Sequence, residues 1–469
     1  MAIQIRPNRQ PSKARVPKSD AQPDNRLPFM DQAGLHLLRA TGRGQLMQMV
    51  WIYEHPVDLD GLRRFHRNFG YGLAGRRIER SPLPFGRHRW VSSLGPAAEI
   101  DIAERARPRS EASDWADERA QLPVDPEWGP GWHLGVQPLT DGATAVTLVG
   151  SHHLGDGVAA LLSVVEAVHE AKRDIGYPMP RSRKRFRGAW ADFRDTVRGA
   201  PETARTVVAA VKLGLRSRRE LAASGTSSTP LVSAADGDAL IVVPAVTAFV
   251  ELAEWDARAN SLNGTSYSLL AGFAAKLGEH MGRRGPDGAV TLIIALNDRT
   301  SLDDTRANAM IFAPVSLDPT PVTTDLADAR IAVRHALKAA REVPDETLQL
   351  LPLVPFVPRR ALKQVVEQFL GSGAELPVSC SNLGDIHPAV GRPDGTDAEY
   401  VIMRGVDQNV RRADLERAGG QLVVVAGRIN GKISIAIVGY QVGAQNSKAR
   451  LRELTAQTLA EFDLTGEIL

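Results

Sequence analysis

The sequence predicts a mixed α/β (α+β) protein made of two halves, each holding strands and helices, joined by a crossover. Three observations carry that expectation. Strand-like and helix-like apolar runs alternate along most of the 469 residues, a length that suggests about two or three domains. The composition changes at Arg181, where a basic stretch and then a small polar stretch divide the runs into two groups. Each group also holds a strongly apolar strand candidate, residues 143–150 in the first and 289–296 in the second.

In chain order, residues 1–26 are polar, basic and rich in proline, and read as a disordered tail. Asp31 is expected to cap a short helix carrying Leu35, Leu37 and Leu38. Residues 46–53 read as a strand. Asp58 opens a helix with Leu62, Phe65 and Phe69 on one face, and residues 87–91 read as a further strand. Asp141-Gly142 is a tight-turn signal joining two strand-like runs, the second of which runs to Gly150 and leads into His152. Val158 to Val168 then has apolar residues at helical spacing.

Residues 181–235 form the crossover. Arg181, Arg183, Lys184, Arg185 and Arg187 begin it, and more Arg and Lys follow, interleaved with Trp190, Phe193, Val207 and Val208. Amphipathic basic helices of this kind either pack as solvated faces or meet anionic lipid headgroups. The second half, 236–469, is expected to begin with a strand at 239–243 and a helix at 247–259. A second helix at 268–281 and the 289–296 strand follow, the latter ending in Asn297-Asp298-Arg299. Further on come a strand at 310–317, helices at 325–341 and 359–370, and a short strand at 376–381 ending in Asn382-Leu383-Gly384. A hairpin turned at Asn430-Gly431 and a last helix at 451–462 close the chain.

Composition narrows the function. Fifty-seven Lys and Arg against 54 Asp and Glu give a net charge of +3, which supports no nucleic-acid partner for the whole molecule. Cys380 is the single cysteine, so neither an intramolecular disulfide nor a cysteine-based metal cluster is available. With no apolar run of about 18 residues and no signal-peptide core, the expected location is the cytoplasm, with peripheral contact at the inner membrane face through residues 181–219.

The stretch that bears on chemistry is Ser151-His152-His153-Leu154-Gly155-Asp156-Gly157, on the turn between a strand and a helix. Loops held at strand ends often carry function. A metal reading lacks a third ligand at suitable spacing. Ser151 lacks the glycine-flanked elbow of a serine nucleophile. No phosphate-cradling or dinucleotide motif is present. Two readings remain. In one, His152 and Asp156 only hydrogen-bond a turn. In the other, His152 is a general base, since imidazole accepts a proton near neutrality. A carboxylate buried at Asp156 would need a cationic partner, and Arg299 is the best candidate.

This stretch resembles the HHxxxDG signature of the HxxxD acyltransferase superfamily, with Ser151 where the first histidine of the signature normally stands. That superfamily includes chloramphenicol acetyltransferase, peptide-synthetase condensation domains, polyketide-associated acyltransferases and bacterial wax ester synthase/diacylglycerol acyltransferases. The resemblance extends over most of the chain. Residues 27–38 (LPFMDQAGLHLL) are similar to the opening helix of the wax ester synthase group. VDLDGLRRFHRNF and GRRIER resemble the start of condensation-type domains, and Ser381-Asn382-Leu383-Gly384 resembles a strand end that faces the site in relatives. Residues 127–132 only partly echo a Pro-Leu-Trp segment, and Tyr267-Ser268 stands where the wax ester synthase group has Asn-Asp.

The resemblance implies two chloramphenicol-acetyltransferase-like halves, 27–180 and 236–469, with a tunnel at their junction. It implies an O-acyltransferase that moves an acyl group from a thioester, acyl-CoA or a carrier-protein thioester, to an alcohol, as in wax ester or triacylglycerol synthesis. His152 would be the base, Asp156 would orient the loop against Arg299, and Gly157 would leave room and a backbone N–H near the reacting carbonyl. His153, Ser381 and Asn382 would face substrate. No metal or redox cofactor is implied. A stand-alone condensation enzyme and a non-catalytic acyl-binding member of the fold are the alternatives.

Overall fold

The computed structural model describes residues 23–184, 186–198, 239–343, 348–357 and 376–469. The expected helix at 359–370 and most of the crossover lie outside the described residues. The first segment folds as α1 (Phe29–Thr41), β1 (Gly44–Tyr53), α2 (Leu59–Phe69), β2 (Arg76–Glu79), β3 (Arg89–Ser92), β4 (Asp101–Ile102), α3 (Ala112–Ala120), β5 (Trp132–Pro138), β6 (Thr144–Ser151) and α4 (Gly157–Val168). Helix α5 covers 186–198. The second segment holds β7 (Leu240–Ile241), β8 (Ala245–Glu251), α6 (Leu252–Ser261), α7 (Ser266–His280), β9 (Val290–Asn297), β10 (Met310–Leu317) and α8 (Ala327–Glu342). After these come β11 (Val378–Asp385), β12 (Tyr400–Gln408), β13 (Val410–Arg411), α9 (Arg412–Arg417), β14 (Gln421–Ile429), β15 (Lys432–Tyr440), α10 (Lys448–Glu461) and β16 (Glu467–Ile468).

Two mixed sheets organise the molecule, in agreement with the α/β expectation. One has the order β12-β1-β6-β5-β4, the other β10-β9-β11-β14-β15-β8-β16. In the second sheet β11 runs parallel to both β9 and β14, while its other pairs are antiparallel. The sheets do not divide the chain at one point. β12 comes from the C-terminal segment yet pairs antiparallel with β1 along its length, from Gly44↔Gln408 to Ile52↔Tyr400.

Local chemistry accounts for most of these elements. Asp58 caps α2 by accepting from the Asp60 N–H at 2.9 Å, and Leu62, Phe65 and Phe69 bury the inner face of that helix. The hairpin β14–β15 turns on Asn430 and Gly431, both at positive φ, the backbone that a two-residue hairpin turn needs. Helix α7 starts in a capping box: Thr265 Oγ1 accepts from the Ser268 N–H at 3.2 Å, and Ser268 Oγ accepts from the Thr265 N–H at 2.8 Å.

Three expectations need correction. The strand near 239–243 is only Leu240–Ile241, and the stretch expected to be a helix from 247 first forms β8 (Ala245–Glu251). Its run Ala-Val-Thr-Ala-Phe-Val is buried on both sides of the sheet, so tertiary burial overrides a weak helical spacing. Asp31, expected to be a cap, lies inside α1, whose N-cap is Pro28. Its carboxylate leaves the helix for another partner, described below.

The cores follow the sheets. A C-terminal cluster centred on α7 includes Leu269, Leu270, Phe273 and Ala274 with Leu292, Ile294 and Val424. An N-terminal cluster joins Met49, Trp51, Phe65, Phe69 and Trp132 with Val401 and Met403 of β12. Trp51 also donates from its indole N–H to the Val390 carbonyl at 2.7 Å.

Candidate functional site

The site lies where β6 gives way to α4. β6 is the middle strand of its five-stranded sheet, paired with β1 on one side and β5 on the other, so its end is held from both flanks. Its last residue, Ser151, is buried, and its backbone N–H bonds the Gly131 carbonyl at 3.0 Å. His152 follows. Its N–H donates to the Gln45 carbonyl at 2.9 Å, and its carbonyl accepts from Asn308 Nδ2 at 3.3 Å. The imidazole is half-buried.

Asp156 caps α4. Oδ1 accepts from the Ala159 N–H at 2.8 Å, the usual satisfaction of a helix-start donor that has no partner within the helix. Oδ2 accepts from Arg299 Nη2 at 2.9 Å and from the Ala309 N–H at 2.8 Å. The two side chains are almost wholly buried, 2% and 3% exposed, so the pair is dry. Arg299 spends its other face on main-chain carbonyls, with Nη1 donating to Asp304 O at 2.6 Å and Arg306 O at 2.9 Å. The guanidinium thus gathers the β9–β10 connection beneath the turn, which a lysine's point charge would not do. Arg299 and Asp156, 143 residues apart in sequence, are the pair singled out from the sequence.

The remaining sequence candidates are placed as follows. Gly157 is the first residue of α4, and a Cβ there would come 3.2 Å from Leu383 Cδ2, so glycine lets the end of β11 close on the helix start. Asn382 turns Oδ1 onto the Gly384 N–H at 2.8 Å, which fixes the strand end. Ser381 pairs in β11 opposite Ala295 of β9 and Val425 of β14. His153 is buried against α1, where a Cβ on Gly34 would lie 3.1 Å from its Nδ1. Burial, with His152 and Arg39 nearby, pulls its pKa down to about 4, so its ring is neutral at neutral pH.

Three residues of the site were not expected there from the sequence, Asp31 having been read only as a helix cap. Arg76 is fully buried, stacks 4.0 Å over the Trp90 ring, and donates to the Leu154 carbonyl at 2.8 Å and to the Thr305 carbonyl. It therefore ties the motif turn to the β9–β10 connection from a second direction. Asp31 accepts from the Ala307 N–H at 3.0 Å and the Asn308 N–H at 2.9 Å. Asn308 completes the set through its contact with the His152 carbonyl. All three act across long sequence separations and carry no local motif. Arg76 and Asp31 do fall inside two of the stretches that carried the family resemblance.

Beside the turn lies a cavity of about 50 Å³. Its walls are apolar: Met47 and Met49 of β1, Phe69 of α2, Trp132, Leu148 and Leu154. Ser151, Gly155 and Ala159 bring it to the motif. Among the described residues no group of three or more His, Cys, Asp or Glu side chains is placed to hold a metal. Cys380 is buried in β11, and burial pushes its thiol up to about 12, which makes it unreactive at neutral pH.

No family model and no curated protein sequence matches this chain. Solved structures do. The first condensation domain of the CDA synthetase superposes with a TM-score of 0.55 at 13% identity, covering 95% of this chain and 99% of that one. The wax ester synthase/diacylglycerol acyltransferase from Marinobacter aquaeolei VT8 gives 0.52 at 14%, covering 93% and 98%. The trichothecene 15-O-acetyltransferase TRI3 from Fusarium sporotrichioides gives 0.53 at 12%, covering 93% and 94%. The fold is therefore the one these three solved structures share. Both condensation domains and O-acyltransferases are built on it, and the matches run over nearly the full length of each partner.

Proposed function

We propose that the protein is an O-acyltransferase in which His152 is the general base. The acyl group arrives as a thioester, on CoA or on a carrier protein, and leaves on an alcohol. The imidazole takes the proton of the acceptor hydroxyl as the oxygen attacks the thioester carbonyl. The tetrahedral intermediate then collapses, expelling the thiolate, which takes up the proton held on the imidazolium and leaves the base neutral again. No metal and no redox cofactor takes part.

One observation carries this reading. His152 is half-buried, on a turn whose main chain is fixed on both sides, beside a buried Asp156–Arg299 pair that makes no bond to the imidazole. A base must be positioned and still reachable, and this arrangement meets both needs. The apolar cavity that reaches Ser151 and Gly155 suits part of an apolar substituent beside the motif turn. The likeness to a wax ester synthase and a trichothecene acetyltransferase supports an alcohol acceptor.

The likeness to a condensation domain supports a second reading, amide formation between carrier-bound thioesters. Assays offering a panel of acyl-CoAs with free alcohols, and carrier-bound thioesters with amines, separate the two. In whichever system turns over, His152→Ala is expected to slow transfer by about 10²–10⁴-fold, the usual size of a general-base contribution. Transfer at the wild-type rate by the variant would remove the assignment.

A further inference from the structure

The stretch Ala307-Asn308-Ala309 enters β10 between two buried carboxylates. On one side, Asp156 Oδ2 takes the Ala309 N–H at 2.8 Å, and the Asp156 N–H donates back to the Ala307 carbonyl at 2.8 Å. On the other side, Asp31 of α1 takes the Ala307 N–H on Oδ2 at 3.0 Å and the Asn308 N–H on Oδ1 at 2.9 Å. Asp31 Oδ1 also takes Asn308 Nδ2 at 3.0 Å, and the same Nδ2 reaches the His152 carbonyl at 3.3 Å. Asp31 is fully buried, and its pKa is raised because burial outweighs those three bonds. Keeping an acid in such a place costs free energy that an amide or an alanine would not.

The two clamps do different work. Asp156 fixes the start of α4, four residues after His152. Asn308 alone among these contacts touches His152 itself, at the carbonyl, while β1 holds the N–H through Gln45. Both peptide groups flanking the His152 Cα are therefore bonded, one within the N-terminal sheet and one to the β9–β10 connection. Fixing the peptide planes fixes the Cα–Cβ direction, and with it where the imidazole points.

We infer that Asp31 and Asn308 form a positioning pair for His152, with Asp31 orienting the carboxamide and the carboxamide setting the backbone from which the imidazole projects. The inference rests on the proposed role of His152 as base, but the geometry it states does not depend on the substrate. Misplacing a reacting group by about 1 Å can cost on the order of 10² in rate. Asn308→Ala should accordingly lower kcat by about 10–100-fold with the KM for the acyl donor within about 3-fold of wild type. Asn308→Ser, which keeps a short donor, should recover part of the loss.

Two readouts distinguish positioning from general loosening. Combined with His152→Ala, Asn308→Ala should cause no further fall in kcat, because no imidazole is left to misplace, while its effect on the urea midpoint should persist. In histidine-labelled protein, the ring resonances of His152, assigned by their loss in His152→Ala, should move in Asn308→Ala and move back towards wild type in Asn308→Ser. Unchanged His152 resonances in both variants would overturn the inference whatever the enzyme acylates. Resonances that move while acyl transfer stays at the wild-type rate would leave the positioning intact and count against the base assignment instead.

Discussion

Replacing Asp156 by asparagine tests how much of the molecule's stability rests on one buried carboxylate. Both oxygens are in use: Oδ1 holds the Ala159 N–H, and Oδ2 holds the Ala309 N–H together with Arg299 Nη2. An asparagine can keep one oxygen acceptor. If that oxygen stays on Ala159, an NH₂ group faces two donors, and Arg299 loses its counter-charge in a site where only 3% of its side chain meets solvent. Removing one member of a buried ion pair costs about 3–5 kcal/mol, more than the roughly 1 kcal/mol of an ordinary lost helix cap. Urea unfolding of Asp156→Asn, Arg299→Ala and the double variant measures this. Each single change should cost about 3–5 kcal/mol, and the double should cost less than their sum by about 1–3 kcal/mol, because removing both partners strands neither charge. A loss under about 1 kcal/mol for Asp156→Asn, or strict additivity, would refute the argument that the pair acts as a unit across the two sheets.

Two further outcomes are expected. His153 takes up a proton near 6.5 in the unfolded chain but only near 4 when folded. Acid therefore favours unfolding as pH falls from about 6.5 to about 4, by about 3 kcal/mol for this residue, and the penalty levels off below that. His88 and His133 are also held down to about 4 by burial, so the informative quantity is the difference between His153→Gln and wild type. That difference should move in the variant's favour as pH drops from 7 to 4.5, and a constant difference would count against the assignment. We also propose that the basic crossover meets anionic membrane: on α5, Phe186 is 93% and Trp190 66% exposed, next to Lys184 and Arg187. Sedimentation with phosphatidylglycerol vesicles should fall in the Phe186→Ser, Trp190→Ser double variant and with added salt. Equal binding by the variant, or none by the wild type, would argue for a solvated helix face instead.

Much of this architecture is legible in the residues because local signals agree with the final packing. Asn430-Gly431 defines its hairpin wherever it sits, and Asp58 with Leu62, Phe65 and Phe69 defines α2. The strand–turn–helix around His152 is likewise local, and so is the need of a buried Asp156 for a cation. What periodicity misreads is decided at a distance. Ala245–Glu251 becomes a strand because β15 and β16 lie on its two sides. Asp31 looks like a helix cap because acids near helix starts usually are, but its partners are about 276 residues away. Asn308 carries no motif at all, since its meaning comes from what Asp31 and His152 bring to it. The Tyr267-Ser268 departure also becomes intelligible: Ser268 closes a capping box with Thr265, so that position starts α7 securely without an acid.

The placement of β12 has a consequence for how the chain is made. Until residues 400–408 emerge, β1 has a partner on one side only, and the residues it offers at the open edge include Met47, Met49 and Trp51. An unpaired, apolar edge strand invites pairing with other chains. The register Gly44↔Gln408 closes a loop of more than 350 residues, a contact order that slows assembly. A nascent chain that has finished its first half therefore waits, through the synthesis of most of the second, with its central sheet one strand short. Truncations ending before Tyr400 should aggregate rather than yield an isolated first half, and supplying the β12 strand as a peptide is the direct way to ask whether that open edge is the cause.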